Sequence, residues 1–237
     1  MSLSKSIQKQ LYKFPEDKVF DYSLFASDNF ESIAKTLSRL AAKGDIKRLS
    51  KGQYYKPRES RFGPIRISEK ELINSITEGG KKGYITGITL FNQMGLTTQV
   101  PNTYVIANNT KSYRANVEGY KIRYVKQSIK IEASNVRFLQ ILDILRDIKE
   151  IPDSKIDNSL NLIIKYIKTL DTKELIKLRN LAEQYNPATK ALLGAIFEFH
   201  FSDINTIKLK SSLNPFSTYK IGISEQVLPS IKNWKIL

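Results

Sequence analysis

Within the stretch Asn29–Lys43, four side chains carry donors suited to base edges and phosphates: Ser32, Lys35, Thr36 and Arg39. On a helix, Lys35 and Arg39 lie one turn apart and face the same way. Arginine can place two hydrogen bonds on guanine O6 and N7, and Ser or Thr can meet several bases. Lys47, Arg48, Lys51 and Gln53 follow at once, around Gly52. A charged helical face alone is ordinarily a solvated face. The basic ribbon directly behind this one weighs toward a polyanion, and these eight residues form the candidate DNA-binding set.

Other chemistry finds little support in the residue types. The chain has no Cys, which excludes disulfides, thiolate catalysis and Cys-based zinc sites. His200 is the only histidine and sits in "FEFHF", where a core or interface role is expected rather than a base or ligand. The Gly- and Lys-rich "EGGKKGYITG" lacks the G-x-x-x-x-G-K-[ST] spacing that cradles phosphate, and it reads as a helix stop and turn. No G-x-S-x-G elbow and no acidic ion-binding loop occur. The expectation is a non-enzyme with no catalytic residues, no cofactor and no metal.

The 237 residues carry a net charge of +15, unevenly spread. Residues 1–68 hold 14 Lys and Arg against 7 Asp and Glu, while residues 132–200 are balanced at 10 each. A basic excess concentrated in one region suits a polyanionic partner, and a general solubility charge is the plainer alternative. The N-terminus "MSLSKSIQKQLYKF" lacks a signal-peptide core, and no apolar run approaches the roughly 20 residues that span a bilayer. A soluble, cytoplasmic protein without a membrane partner is expected.

The elements that must position the candidate residues can be read from periodicity. Ile7, Leu11 and Phe14 mark a first helix, with Lys5, Lys9 and Lys13 on another side, stopped by Pro15. "VFDYSLFAS" suggests a short second helix. Asp28 and Glu31 have capping-box spacing ahead of a third, whose stripe is Phe30, Ile33, Ala34, Leu37, Leu40 and Ala41. Gly44 suits the left-handed stop position. "DIKRLSKGQYYK" then predicts a hairpin with a three-residue loop at Ser50-Lys51-Gly52, with one of Tyr54 and Tyr55 packed on the core and the other half exposed.

This is the order of a winged helix-turn-helix, placed at residues 1–56. Pro57, Gly63 and Pro64 suggest a linker over 57–67, and a C-terminal α+β interaction domain follows over 68–237. In it Ser68 and Glu71 open a helix, and another covers about 86–94. "NTYVIA", "SYRANV" and "GYKIRYVK" read as strands, with turns at Asn108-Asn109 and Glu118-Gly119. Helices are expected from Asn135, near Asp157, from Asp171 with Glu174 as box partner, and from Asn186-Pro187. The basic residues of 111–130 form either a second DNA surface or exposed strand faces. The fold class is therefore α+β: an N-terminal winged helix-turn-helix and a larger mixed domain with a small sheet and several helices.

Two stretches carry a family resemblance: "TLSRLAAKGDIKRLSKGQYY", and "RFGPIRISEKELINSI" with "GYITGITLFNQMGLTTQVPNTYVIAN", followed by "IRYVK" and "LQILDILRDIKEIP". In order and spacing the chain resembles the AbiEi-type antitoxins of type IV toxin–antitoxin systems (DUF6088-like transcriptional regulators), over roughly residues 4–152. The resemblance implies a transcriptional autorepressor bound to double-stranded operator DNA at inverted repeats. It also implies a cognate nucleotidyltransferase-like toxin as partner, in phage defence, with or without a stable direct complex. It places the DNA-reading helix on Asn29–Lys43 and the wing on Lys47–Tyr55, and assigns no toxin-neutralising residue. A stand-alone winged-helix transcription factor, whose C-terminal domain senses a ligand or mediates association, is the first alternative. A nucleic-acid-modifying enzyme is the second.

Overall fold

The computed structural model describes residues 3–25 and 29–237 and has mixed α+β architecture. The chain divides into two compact units, Met1–Gly79 with Ala115–Lys121, and Gly80–Arg114 with Ile122–Leu237. The division at Gly79 falls beyond the linker expected at 57–67. That segment holds a hairpin instead, β4 (Arg58–Ser60) and β5 (Gly63–Ile65), because Gly63 at φ +104 allows the chain to double back.

In the first unit, α1 (Leu3–Lys13) buries Ile7 and Leu11. Among its described residues, 19–25, the short second helix predicted from "VFDYSLFAS" is not formed as an α-helix. Val19–Phe20 is strand β1, and Tyr22–Leu24 is a single 3₁₀ turn capped by Asp21, whose carboxylate accepts from the Ser23 N–H. The pairing of β1 with the ribbon captures those apolar residues in extended form.

The main helix, α2 (Phe30–Lys43), buries Ile33, Leu37 and Leu40 against Ile7, Leu11, Phe20, Phe25, Ile46 and Tyr54. Asp28, the expected cap, lies outside the described residues. The described cap is Asn29, whose side chain accepts from the Ser32 N–H at 3.0 Å. Phe30, expected in the buried stripe, is 57 % exposed, since it opens the first turn beyond the reach of the core. Gly44 ends α2 at φ +87 as expected.

Strands β2 (Lys47–Ser50) and β3 (Gln53–Tyr55) form the predicted ribbon, in a sheet of order β1-β3-β2. Ser50 pairs with Gln53, so the loop is two residues, Lys51 and Gly52, and the extra residue is taken up as a bulge at Leu49. Because β3 is the central strand, Tyr54 and Tyr55 are both buried, where one half-exposed ring was expected. Tyr55 Oη donates to Glu118 at 2.8 Å, and burial followed by this bond raises its pKa. Helix α3 (Glu69–Thr77) starts at Ser68 as predicted, but Glu71 does not close a box. Its carboxylate accepts from Lys18 Nζ at 2.7 Å and from the Val19 N–H at 3.4 Å.

The second unit is built round α5 (Val136–Arg146), which packs against β6 (Gly83–Ile85), α4 (Gly87–Gln93), α6 (Ile156–Ile167), α7 (Thr172–Ala182) and α8 (Pro187–His200). The remaining strands are β7 (Tyr104–Asn108), β8 (Tyr113–Val117) and β9 (Tyr120–Lys126), in the order β6-β7-β9-β8, with Ala115–Lys121 of β8 and β9 counted in the first unit. β7 runs parallel to β9. Asn108-Asn109 turns the chain after β7 as predicted, with Asn108 Oδ1 accepting from the Thr110 and Lys111 N–H groups, and Glu118 and Gly119, both at positive φ, turn it between β8 and β9. The Asp171–Glu174 capping box and the Asn186-Pro187 start form as predicted. No helix among the described residues is long and apolar enough to cross a membrane.

Candidate nucleic-acid interface

The helical period decides which α2 side chains reach solvent. Those standing clear of the core are Phe30 at its first turn and then Glu31, Lys35, Ser38, Arg39, Ala42 and Lys43. Lys35 and Arg39 therefore share one face, as their spacing predicts. Lys35 Nζ lies 2.7 Å from Glu31 one turn back, in an ion pair open to water on both sides. Such a pair contributes little to stability and exchanges readily for another anion. Arg39 Nη2 donates to Ser4 Oγ at 3.2 Å, which steadies the guanidinium without neutralising it.

One of the eight candidates is displaced from that role. Thr36 is only 5 % exposed and packs on the core side, so it is corrected out of the contact set. At 100° per residue it lies closer to the buried Ile33 and Leu40 than to Lys35. Ser32 is half-buried and its N–H is used by the Asn29 cap. Lys43, which the period places on that face, is exposed there, and so is Ser38.

The ribbon is rigidly tipped. Ser50 Oγ donates to Gln53 Oε1 at 2.7 Å across the loop, and Arg48 Nε donates to the Ser50 carbonyl at 3.3 Å. Gly52 at φ +80 faces the Tyr22 ring, 3.6 Å from where a Cβ would stand. Lys51 and Arg48 are exposed, and Lys47 and Gln53 are half-buried beside them. Helix and ribbon are joined by only Gly44, Asp45 and Ile46, with Ile46 buried as the anchor. The arrangement offers separate cations on a fixed frame, which is what a phosphate backbone requires.

The second unit holds a polar cluster that the sequence reading missed. Asp143 is 1 % exposed. Its Oδ2 accepts from Tyr84 Oη at 2.9 Å and Thr86 Oγ1 at 2.7 Å. Its Oδ1 accepts from Tyr185 Oη at 2.9 Å and Arg146 Nη1 at 2.8 Å. Burial pushes the carboxyl upward, against the pull of Arg146 and of the hydroxyls of Thr86, Tyr185 and Tyr84. An Asp between apolar residues on both sides, in "ILDIL", was the available signal. Beside it lies a cavity of about 440 Å³ lined by Lys126, Gln127, Arg146, Gln184, Tyr185 and Asn186 among others.

His200, half-buried at the end of α8, has edge contacts with the rings of Phe199 and Phe201. Burial and then Lys168 push its pKa down, which leaves it a neutral packing residue near pH 7. No group of three or more His, Asp or Glu among the described residues is placed to hold a metal ion.

The sequence matches, over residues 6–181, the family described as "Family of unknown function (DUF6088)". No curated protein matches it significantly.

Proposed function

The chain belongs to the DUF6088 family, and we propose that it is a DNA-binding transcriptional autorepressor and antitoxin that counteracts a nucleotidyltransferase-like toxin. The first unit acts as a winged helix-turn-helix. Helix α2 enters the major groove, the β2–β3 ribbon rides the adjacent backbone, and occupancy of the operator blocks transcription of its own gene. The observation that carries this reading is the pairing of the Lys35–Arg39 face with the pinned, basic ribbon in a chain of charge +15. The antitoxin half rests on the resemblance of residues 4–152 to AbiEi-type antitoxins.

The test is binding of the full chain to a labelled duplex taken from directly upstream of its own gene. Arg39→Ala should cost about 1–3 kcal/mol at one base position and relax the preference there. Undiminished binding by Arg39→Ala and Lys51→Ala together would remove the winged-helix reading. For the antitoxin half, co-expression with a neighbouring nucleotidyltransferase should restore growth, and failure to do so sinks that half alone. The cavity beside Arg146 supports the second reading, a stand-alone regulator that senses a small ligand. A library of small polar metabolites that left both melting and DNA binding unchanged would count against it.

A further inference from the structure

The hairpin β4–β5 ends in a two-residue turn, Arg61 and Phe62. The Phe62 ring is 100 % exposed. The turn is nonetheless built: Ser60 Oγ donates to the Gly63 carbonyl at 2.7 Å and accepts from the Phe62 N–H at 3.2 Å. A single exposed apolar side chain is common on any protein and means nothing alone. This one stands on a pinned tip among arginines. Arg58 and Arg61 are exposed and hold no ion pair among the described residues, and Glu59 is the only acid between Arg58 and Arg66. Arg66 lies over the Tyr120 ring, 4.2 Å from its centroid, which fixes the base of the hairpin.

The hairpin's position within the first unit also matters. A cleft of about 590 Å³ is lined by the middle pair of the hairpin, Glu59 and Pro64, by Gln8, Leu11 and Tyr12 of α1, and by Lys43 and Gly44 at the C-terminal end of α2. The arm therefore stands next to the helix already assigned to the major groove.

We infer that β4–β5 is a second DNA-gripping arm, in which Phe62 wedges against a base step in the minor groove and Arg58 and Arg61 hold the flanking phosphates. The inference rests on the DNA-binding reading above. Apolar wedges of this kind part a base step and bend the duplex, and they act together with neighbouring cations. The charge selects the partner. Two free arginines around an aromatic tip suit phosphate and base faces.

The experiment uses the full chain and a fluorescein-labelled duplex from directly upstream of its gene, titrated at several salt concentrations, with gel mobility of permuted fragments to read the bend. Phe62→Ala should weaken binding about tenfold and reduce the bend while leaving the salt slope alone. Phe62→Trp should keep both. Arg61→Ala should lower the salt slope by about one. Neither side chain is packed, so all three variants should melt with the unaltered chain. The arm is overturned, and the α2 reading survives, if Phe62→Ala and Arg61→Ala bind and bend normally while Arg39→Ala does not. If Arg39→Ala and Lys51→Ala are normal as well, the DNA-binding reading falls with it. Loss of a co-expressed protein partner by Phe62→Ala, with DNA binding intact, also overturns the arm and assigns its tip to a protein interface.

Discussion

Two glycines, one in each unit, do opposite work. Gly44 sits at φ +87 with nothing within 4 Å of where a Cβ would be. It has room for a side chain but the wrong backbone for one. Gly194, inside α8, has ordinary helical backbone and no room: an added Cβ would lie 2.2 Å from the Trp234 ring. At Gly44 the first unit turns the chain, so that the charged residues on either side are presented to solvent. At Gly194 the second unit packs closely, with an indole laid against a helix, and elsewhere in it a carboxylate is sealed under three hydroxyls and an arginine. Presentation tolerates change at the surface and resists it at the turns. Close packing resists it inside.

Breaking the sealed cluster should have the largest effect. Asp143→Ala leaves Tyr84, Thr86, Tyr185 and Arg146 without their common acceptor, and should cost about 3–5 kcal/mol in urea unfolding. A loss below about 1 kcal/mol would show that the cluster is solvated rather than sealed. Its pH dependence has a definite sign. The folded carboxyl is raised by burial, so the protonated form favours folding. That contribution is full below the unfolded value of about 3.9 and is lost as pH rises through the folded value. Asp143→Asn lacks it. Between about pH 7 and pH 4 the unaltered chain should therefore gain stability relative to the Asn variant as pH falls, and parallel curves would contradict the assignment.

Next comes Gly194→Ala, which should cost about 3 kcal/mol because either the indole or the helix must move. Near-UV circular dichroism of Trp234, the only tryptophan, should report the displacement directly. Gly44→Ala follows at about 1 kcal/mol, the backbone penalty alone. An equal cost at the two glycines would erase the contrast between them.

These sites differ in how far the sequence announced them. Gly44, Gly52 and the Asp171–Glu174 box were legible because a cap or turn depends on a few adjacent residues. The wheel of α2 was legible too, apart from Thr36 and Phe30, which lie at the border of the stripe and at the first turn. The strand at Val19–Phe20 was not, because "VFDYSLF" has apolar residues that fit a helix or a strand, and its partner Tyr54–Tyr55 lies far along the chain. Both tyrosines are buried for the same reason, since being the central strand is a property of the sheet. The cluster at Asp143 depends on residues 42 to 59 positions away, and only the folded chain brings them together. The Arg61–Phe62 turn was hidden by its Pro and Gly content, which suits a linker equally well.

The smallest effect on folding is the most informative about function. Lys51 lies at the tip of the ribbon, exposed, in a loop that Ser50 and Gln53 close beneath it. Its ammonium has no partner to lose among the described residues, so Lys51→Ala should leave the urea midpoint within about 0.5 kcal/mol of the unaltered chain, the ordinary range for a surface change. A phosphate contact at that point releases about one counterion on binding. The same substitution should therefore weaken binding to every duplex alike and lower the slope of log affinity against log salt by about one. Lys155, an exposed lysine of the second unit that caps α6, provides the matched control, and its Ala variant should leave both midpoint and slope unchanged. An equal loss of slope at Lys51 and Lys155 would mean that the duplex reads only net charge. A loss confined to Lys51 would locate binding on the unit built for presentation.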